Sequence, residues 1–163
     1  MAKKHLKTSK KKALIKAQNL CAGQEKCIYD IKQKFYQWGV NNDDFDDLIK
    51  SLTDDGFINE ERYATAFTKE KFRFNKWGKV KIEFALKQKN IPDQFIKNAL
   101  QEIPLQDYDA VLEKELIKKK KSLKDTDPYV IKTKLVRFAV SKGFENGKIF
   151  DMVNSMIEKS KDD

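Results

Sequence analysis

Gly39, Asn90 and Gly143 stand 51 and 53 residues apart, and each closes the same apolar register. Eight residues before them lie Ile31, Ile82 and Leu135, and four residues before them Phe35, Leu86 and Ala139. Steps of four place those side chains on one face of a helix, and a Gly or Asn beyond it supplies the left-handed residue at which a helix turns back. A longer helix precedes each hairpin, so the repeating unit is three helices, and three units use almost the whole chain. Each unit contacts mainly its neighbours in such an array. The expected fold is all-α, with about nine helices in tandem three-helix repeats arranged in an elongated, curved row.

Local signals agree with this division. Ile28, Ile31, Phe35 and Trp38 form a stripe that ends at Gly39, and Phe45, Leu48, Ile49 and Leu52 form the next. That second stripe is opened by the polar run from Asn41 to Asp44 and closed by Gly56. Asn59, with Glu60 and Glu61, starts a helix carrying Tyr63, Ala66 and Phe67 towards Phe74, which Trp77 and Gly78 interrupt. Val80, Ile82, Phe84 and Leu86 are the apolar residues of the following helix, and Pro92 and Asp93 start the one with Phe95, Ile96, Ala99 and Leu100. Tyr108, Val111, Leu112, Leu116 and Ile117 mark a further helix. Asp127 and Pro128 restart the chain towards Leu135 and Phe138, and Ile149, Val153, Met156 and Ile157 make the last stripe. The expected boundaries are a basic arm at 1–12, repeats at 13–57, 58–104 and 105–158, and a tail at 159–163. The arm has Leu6 as its one large apolar residue and cannot bury enough surface to offset its ordering entropy. Gly39, Gly56, Gly78, Asn90 and Gly143 are the expected structural corners.

Chemistry is sparse. The single histidine, His5, falls in the arm, which leaves no ordered imidazole for acid/base work, a catalytic triad or a metal. Residues 143–148, GFENGK, have a phosphate-loop flavour but one spacer residue too few, no following Ser or Thr and a helix before them, so they read as a hairpin corner. Asp43, Asp44, Asp46 and Asp47, with Asp54 and Asp55, lack the ligand spacing of a calcium loop and read as solvated acids, partly at a helix start. Cys21 and Cys27 have no second Cys or His pair to complete a zinc site and are expected to be reduced, structural thiols. No enzyme activity and no cofactor are expected. No stretch of about 18 apolar residues occurs, and the Lys-rich start lacks a signal-peptide core, so a cytoplasmic, membrane-free protein is expected; tandem repeats with separate hairpins give no reason to require a dimer, so a monomer is expected.

Thirty-four Lys and Arg against 25 Asp and Glu give a net charge of +9, which favours a polyanionic partner without establishing one. The charge is unevenly placed. Residues 41–61 hold eight acids and one Lys, whereas residues 69–89 hold Lys69, Lys71, Arg73, Lys76, Lys79, Lys81, Lys87 and Lys89 against Glu70 and Glu83. Phe72, Phe74 and Trp77 are interleaved among those cations, a mixture suited to phosphates and planar bases or to a protein pocket. The competing reading makes the rings core and the lysines their solvated back. A single narrow stripe cannot hold both Phe72 and Phe74, which favours binding. A second run, Lys118, Lys119, Lys120 and Lys121, ends a helix where cations are favoured anyway. Lys71, Arg73, Lys76, Trp77, Lys79, Lys81 and those four lysines are the candidate binding residues.

Residues 52–64, LTDDGFINEERYA, then Gly78-Lys79-Val80-Lys81-Ile82-Glu83, then residues 86–91, LKQKNI, and the segment from Ile96 to Leu100 resemble the central repeat of RecX proteins in order and spacing. Lys134-Leu135, Phe138 and the Ser141-Lys142-Gly143-Phe144 corner resemble that family's last repeat, so the resemblance covers roughly residues 13–157. Two departures stand out: Asn90 replaces the usual corner Gly, and the leading helix of the first repeat is weak. The resemblance implies a non-catalytic protein that binds in the groove of the RecA filament on DNA. It implies inhibition of filament growth, ATP hydrolysis, strand exchange and RecA-stimulated repressor cleavage, with weaker electrostatic binding to single- and double-stranded DNA. A general DNA- or RNA-binding helical repeat protein is the alternative. The family fixes no interaction surface residue by residue.

Overall fold

In a computed structural model, which describes residues 8–162, nine α-helices follow one another with short connections and, among the described residues, no strand. They are α1 (Lys10–Gly23), α2 (Ile28–Gln37), α3 (Phe45–Asp54), α4 (Glu60–Arg73), α5 (Lys79–Gln88), α6 (Asp93–Gln101), α7 (Leu105–Ser122), α8 (Pro128–Lys142) and α9 (Asn146–Asp162), with one 3-10 turn at Asn42–Asp44 before α3. Caps explain several starts. Ser9 accepts from Lys12 N–H at 3.3 Å, Asn59 from Arg62 N–H at 2.9 Å and Asp127 from Tyr129 N–H at 2.9 Å, each satisfying an orphan donor. Asn90 takes the left-handed conformation at φ 58°, as Gly39 and Gly143 do at 69° and 92°.

Two expectations about the ends change. Residues 10–12 are not arm but the first turn of α1, because Ser9 caps them; residues 1–7, including His5, lie outside the described residues. The tail beginning at 159 continues α9 to Asp162. At the Gly78 corner the glycine has a φ of −78°, and the positive φ in that loop belongs to Lys76, at 58°. Val80 and Phe84 do not join the core but stand 52% and 63% exposed, since a ten-residue helix that buries Ile82 and Leu86 turns residues two positions away to the opposite side.

Two cores result. The first gathers Ala13, Ala17, Ile31, Phe35, Leu48 and Leu52 of the first unit, with Ile58 at the start of the second packed against them. The second and third units share one continuous core, from Ile82, Leu86 and Ile96 through Tyr108, Leu112 and Leu116 to Leu135, Ile149 and Val153, and the first unit adds Cys27 to it. The accessible surface is 10946 Å², against roughly 8,400 Å² for a compact monomer of this mass. The array is elongated. Among the described residues no helix is long and apolar enough to cross a membrane.

The units meet by one recurring contact, between the corner of one unit and the start of the second helix in the unit before it. Gly78 N–H donates to Lys142 O at 2.7 Å and Val80 N–H to Gly143 O at 2.9 Å, so the corner carbonyls of the third unit satisfy orphan donors at the start of α5. One unit earlier, Lys89 at the second corner pairs with Asp30 at the start of α2. At the corner of the first unit the corresponding contact comes from Thr8, whose hydroxyl and N–H donate to Trp38 O at 2.6 and 3.3 Å.

Candidate functional site

The α4–α5 loop is shaped by its backbone before any side chain is placed. Trp77 N–H reaches back to Lys71 O at 3.0 Å, the left-handed Lys76 makes the reversal, and Lys76 Nζ donates to Arg73 O at 2.5 Å. Trp77 is thereby set between the end of α4 and the start of α5. Lys71 Nζ lies 5.1 Å and Lys81 Nζ 4.5 Å from its ring centroid, and Phe67 meets it edge-on at 6.4 Å. Both ammonium distances fall within cation–π range.

The third unit completes this surface. Lys81 Nζ approaches Ser141 O at 3.5 Å, and Lys142 Nζ donates to Asn75 O at 2.7 Å, across the junction. Lys142 in turn lines a groove of about 240 Å³ with Lys118, Lys119, Glu115, Ser122 and Phe138, and Lys119 Nζ sits 5.5 Å from the Phe138 ring centroid. A stripe of cations therefore runs from Lys71 through Lys81 and Lys142 to Lys118 and Lys119. The junction beneath it is close-packed: an added Cβ at Gly78 would fall 2.3 Å from Gly143 O, and one at Gly143 would fall 2.2 Å from Lys81 Cβ.

Not every expected residue joins the stripe. Lys79 turns to the other side of α5, where its Nζ lies 4.9 Å from the Tyr108 ring centroid and it lines a separate groove with Glu83, Lys87 and Lys97. Lys120 faces α9 and hydrogen bonds Ser160 Oγ. Arg73 and Lys121 are exposed, with no side-chain partner that ties them to the stripe. Of the two rings that a single stripe could not hold, Phe72 is buried at 7% and Phe74 is 81% exposed. Lys142 and Phe138 were not among the expected binding residues. The available signal for Lys142 was its position, one residue before a left-handed corner, where Lys89 stands in the second unit.

Tyr108 fixes the start of α5 on the side away from the stripe. It is fully buried against Phe72 and Phe144, its hydroxyl accepts from Lys79 N–H at 3.0 Å and donates to Glu145, and Lys148 is held nearby by Asp109 at 2.7 Å. Burial, and then the hydrogen bond to Glu145, push its phenol well above the usual tyrosine range, so it stays a neutral donor. The junction of the first and second units is polar by comparison. Asp30 accepts from Lys89 and from Cys27 N–H, and Arg62 Nε pairs with Glu25 at 2.5 Å. Burial alone would raise the Asp30 carboxyl, but hydrogen bonds from Lys89 and Cys27 outweigh it and hold the group below its ordinary value. Burial pushes the Cys27 thiol up to about 12. Among the described residues no group of three His, Cys, Asp or Glu is placed to hold a metal ion. The acids of the first unit are partly paired, Lys10 with Asp47 at 3.0 Å and Lys50 with Asp54 at 2.7 Å.

These features define a class: an all-helical, tandem three-helix-repeat protein with a lysine-rich face crossing the junction of its last two units. Residues 59–100 match the second three-helix domain of RecX and residues 106–153 the third, together more than half of the chain. The chain belongs to the RecX family. It is 33% identical over 132 residues to the regulatory protein RecX of Clostridium botulinum (strain Eklund 17B / Type B), covering 78% of this chain and 60% of that one. Against the regulatory protein RecX of Clostridium perfringens (strain 13 / Type A) the identity is 28% over 132 residues, covering 80% and 59%. The chain thus spans about three fifths of the length of these relatives. The crystal structure of RecX from Lactobacillus salivarius superimposes with a TM-score of 0.78 over 90% of this chain and 95% of that one, a likeness of fold at 18% identity.

Proposed function

We propose that this protein is a non-catalytic, monomeric cytoplasmic regulator that binds the RecA recombinase filament on DNA and restrains it. The observation that carries the reading is the cation stripe laid across two closely packed repeats. A partner that spans that junction contacts both units at once, which suits a polymer better than a small ligand. The name of the relatives supports regulation as the role. The proposed mode is occupation of the filament groove, with the basic face towards DNA phosphates and other parts of the repeats against successive recombinase protomers. Inhibition then needs no chemistry: a ligand that prefers a blocked or shortening filament shifts the population towards that state by its differential affinity.

A second reading, a general binder of DNA or RNA, is favoured by the lysines themselves, because phosphate attraction is independent of sequence and of any recombinase. Titration of the protein into cognate RecA turning over ATP on single-stranded DNA separates the two. The filament reading predicts a fall in hydrolysis at protein concentrations well below those that saturate bare DNA. Hydrolysis that falls only when free DNA is saturated supports the general binder and overturns the filament reading.

A further inference from the structure

We infer that Lys71, Lys81 and Lys142 form a phosphate clamp across the junction of the second and third units, and that Trp77 is the positioning residue that holds two of its ammonium groups. This deepens the proposed function by assigning the residues that grip the phosphodiester backbone and the residue that positions them, and rests on the nucleic-acid part of that reading.

Three observations carry it. Lys71 and Lys81 converge on one indole, at 5.1 and 4.5 Å from its centroid, so their positions are fixed by the ring instead of being free in solvent. Lys142 arrives from the next unit and is tied by its ammonium to Asn75 O at 2.7 Å, two residues before Trp77. Trp77 itself is only partly exposed, with Phe67 at its edge and two lysines over it, so its ring does not offer the open face that base stacking needs. The composition argues for phosphate over a protein carboxylate surface. Lysine is depleted from the cores of protein–protein interfaces, and planar carboxylates are matched best by the forked guanidinium of Arg, whereas an ammonium serves phosphate as a point charge. No Arg stands among these cations.

The test is equilibrium binding of the full chain to single-stranded oligonucleotides over a range of salt. Normal and abasic strands of equal length are compared, with poly-glutamate of equal charge as a third probe. The expected result is equal affinity for normal and abasic strands and weaker binding of poly-glutamate. Replacing Lys71, Lys81 and Lys142 by Gln should lower the slope of log K against log salt by about 2 and weaken binding roughly a hundredfold near 0.1 M salt. Replacing Lys50, Lys87 and Lys97 by Gln removes the same charge elsewhere and should leave the slope within about 1 unit of the parent. Trp77→Ala should lower affinity for normal and abasic strands alike and reduce the slope, with Trp77→Phe restoring most of both. Circular dichroism and thermal unfolding confirm that each variant is folded. A triple Lys variant with the parent slope overturns the clamp, as does poly-glutamate bound as tightly as DNA. A large preference for base-bearing strands that Trp77→Ala abolishes overturns the positioning role. No recombinase is present, so failure here leaves filament binding by other surfaces standing, and a working clamp without effect on filaments overturns the regulator reading alone.

Discussion

Replacing Gly78 by Ala tests whether the second and third units are one rigid block. The added Cβ would lie 2.3 Å from Gly143 O, 2.4 Å from Gly143 C and 2.5 Å from Phe144 N, all backbone atoms that no side-chain rotation can move aside. Ordinary contact distances require about 1 Å more. Such a shift stretches the bonds from Gly78 N–H and Val80 N–H, now 2.7 and 2.9 Å, to the edge of hydrogen-bonding range. Overpacking costs typically 1–3 kcal/mol, and a buried donor left without its acceptor a similar amount. Against this, Ala reduces the freedom of the unfolded chain by up to about 1 kcal/mol, since the φ of −78° suits it. The net loss is about 2–4 kcal/mol, which at a typical urea slope of about 2 kcal/mol/M lowers the midpoint by roughly 1–2 M. Gly147→Ala is the control: nothing lies within 4 Å of its Cβ position in α9, so it should stabilise by about 0.5–1 kcal/mol. Urea unfolding followed by circular dichroism reads both. A Gly78→Ala midpoint equal to or above the parent would refute the account of the junction.

Three further outcomes are expected. Asn90→Ala should lose about 1–2 kcal/mol in thermal unfolding, because φ is 58° there, while Asn90→Gly should stay close to the parent. The Asp30 carboxyl is depressed in the folded state, so its contribution is present above the unfolded value, and is lost as pH falls through the folded one. Asp30→Asn should therefore show a shallower loss of stability between about pH 5 and pH 2 than the parent, whereas an identical acid limb would contradict the Lys89 pairing. Glu60, raised by burial and by Asp30, acts with the opposite sign and loses part of its shift in Asp30→Asn, so the comparison is made in a Glu60→Gln background. Cys27, fully buried with its thiol raised to about 12, should react with a thiol reagent only on opening of the fold, well after the partly exposed Cys21; two equally fast thiols would contradict its placement.

Most of the fold was legible because its signals are local. Four-residue steps ending at Gly39, Asn90 and Gly143 set the helix faces and the reversals, and the cap residues Asn59 and Asp127 set helix starts. The site was legible only as a neighbourhood. Lys79 and Lys81 are adjacent in composition, but two residues on a helix is about 200° of rotation, which sends one to Tyr108 and the other to Trp77. The run from Lys118 to Lys121 divides for the same reason, with Lys118 and Lys119 in the groove beside Lys142 and Lys120 against α9. Lys142 lies 61 residues beyond Lys81, and only the packing of one unit on the next brings it to the stripe. Gly78 carries no left-handed signal at all; its need for a missing Cβ becomes visible only when the Gly143 backbone is in place.

The proposed preference of this chain for a recombinase filament over nucleic acid alone can be read in one experiment. The direct measurement is its equilibrium affinity, at near-physiological salt, for single-stranded DNA bare and coated with an ATP-supported filament of the cognate RecA, with hydrolysis followed in the same samples. Tighter binding to the filament together with falling ATP hydrolysis is expected. Equal binding to bare DNA with unchanged hydrolysis would contradict it.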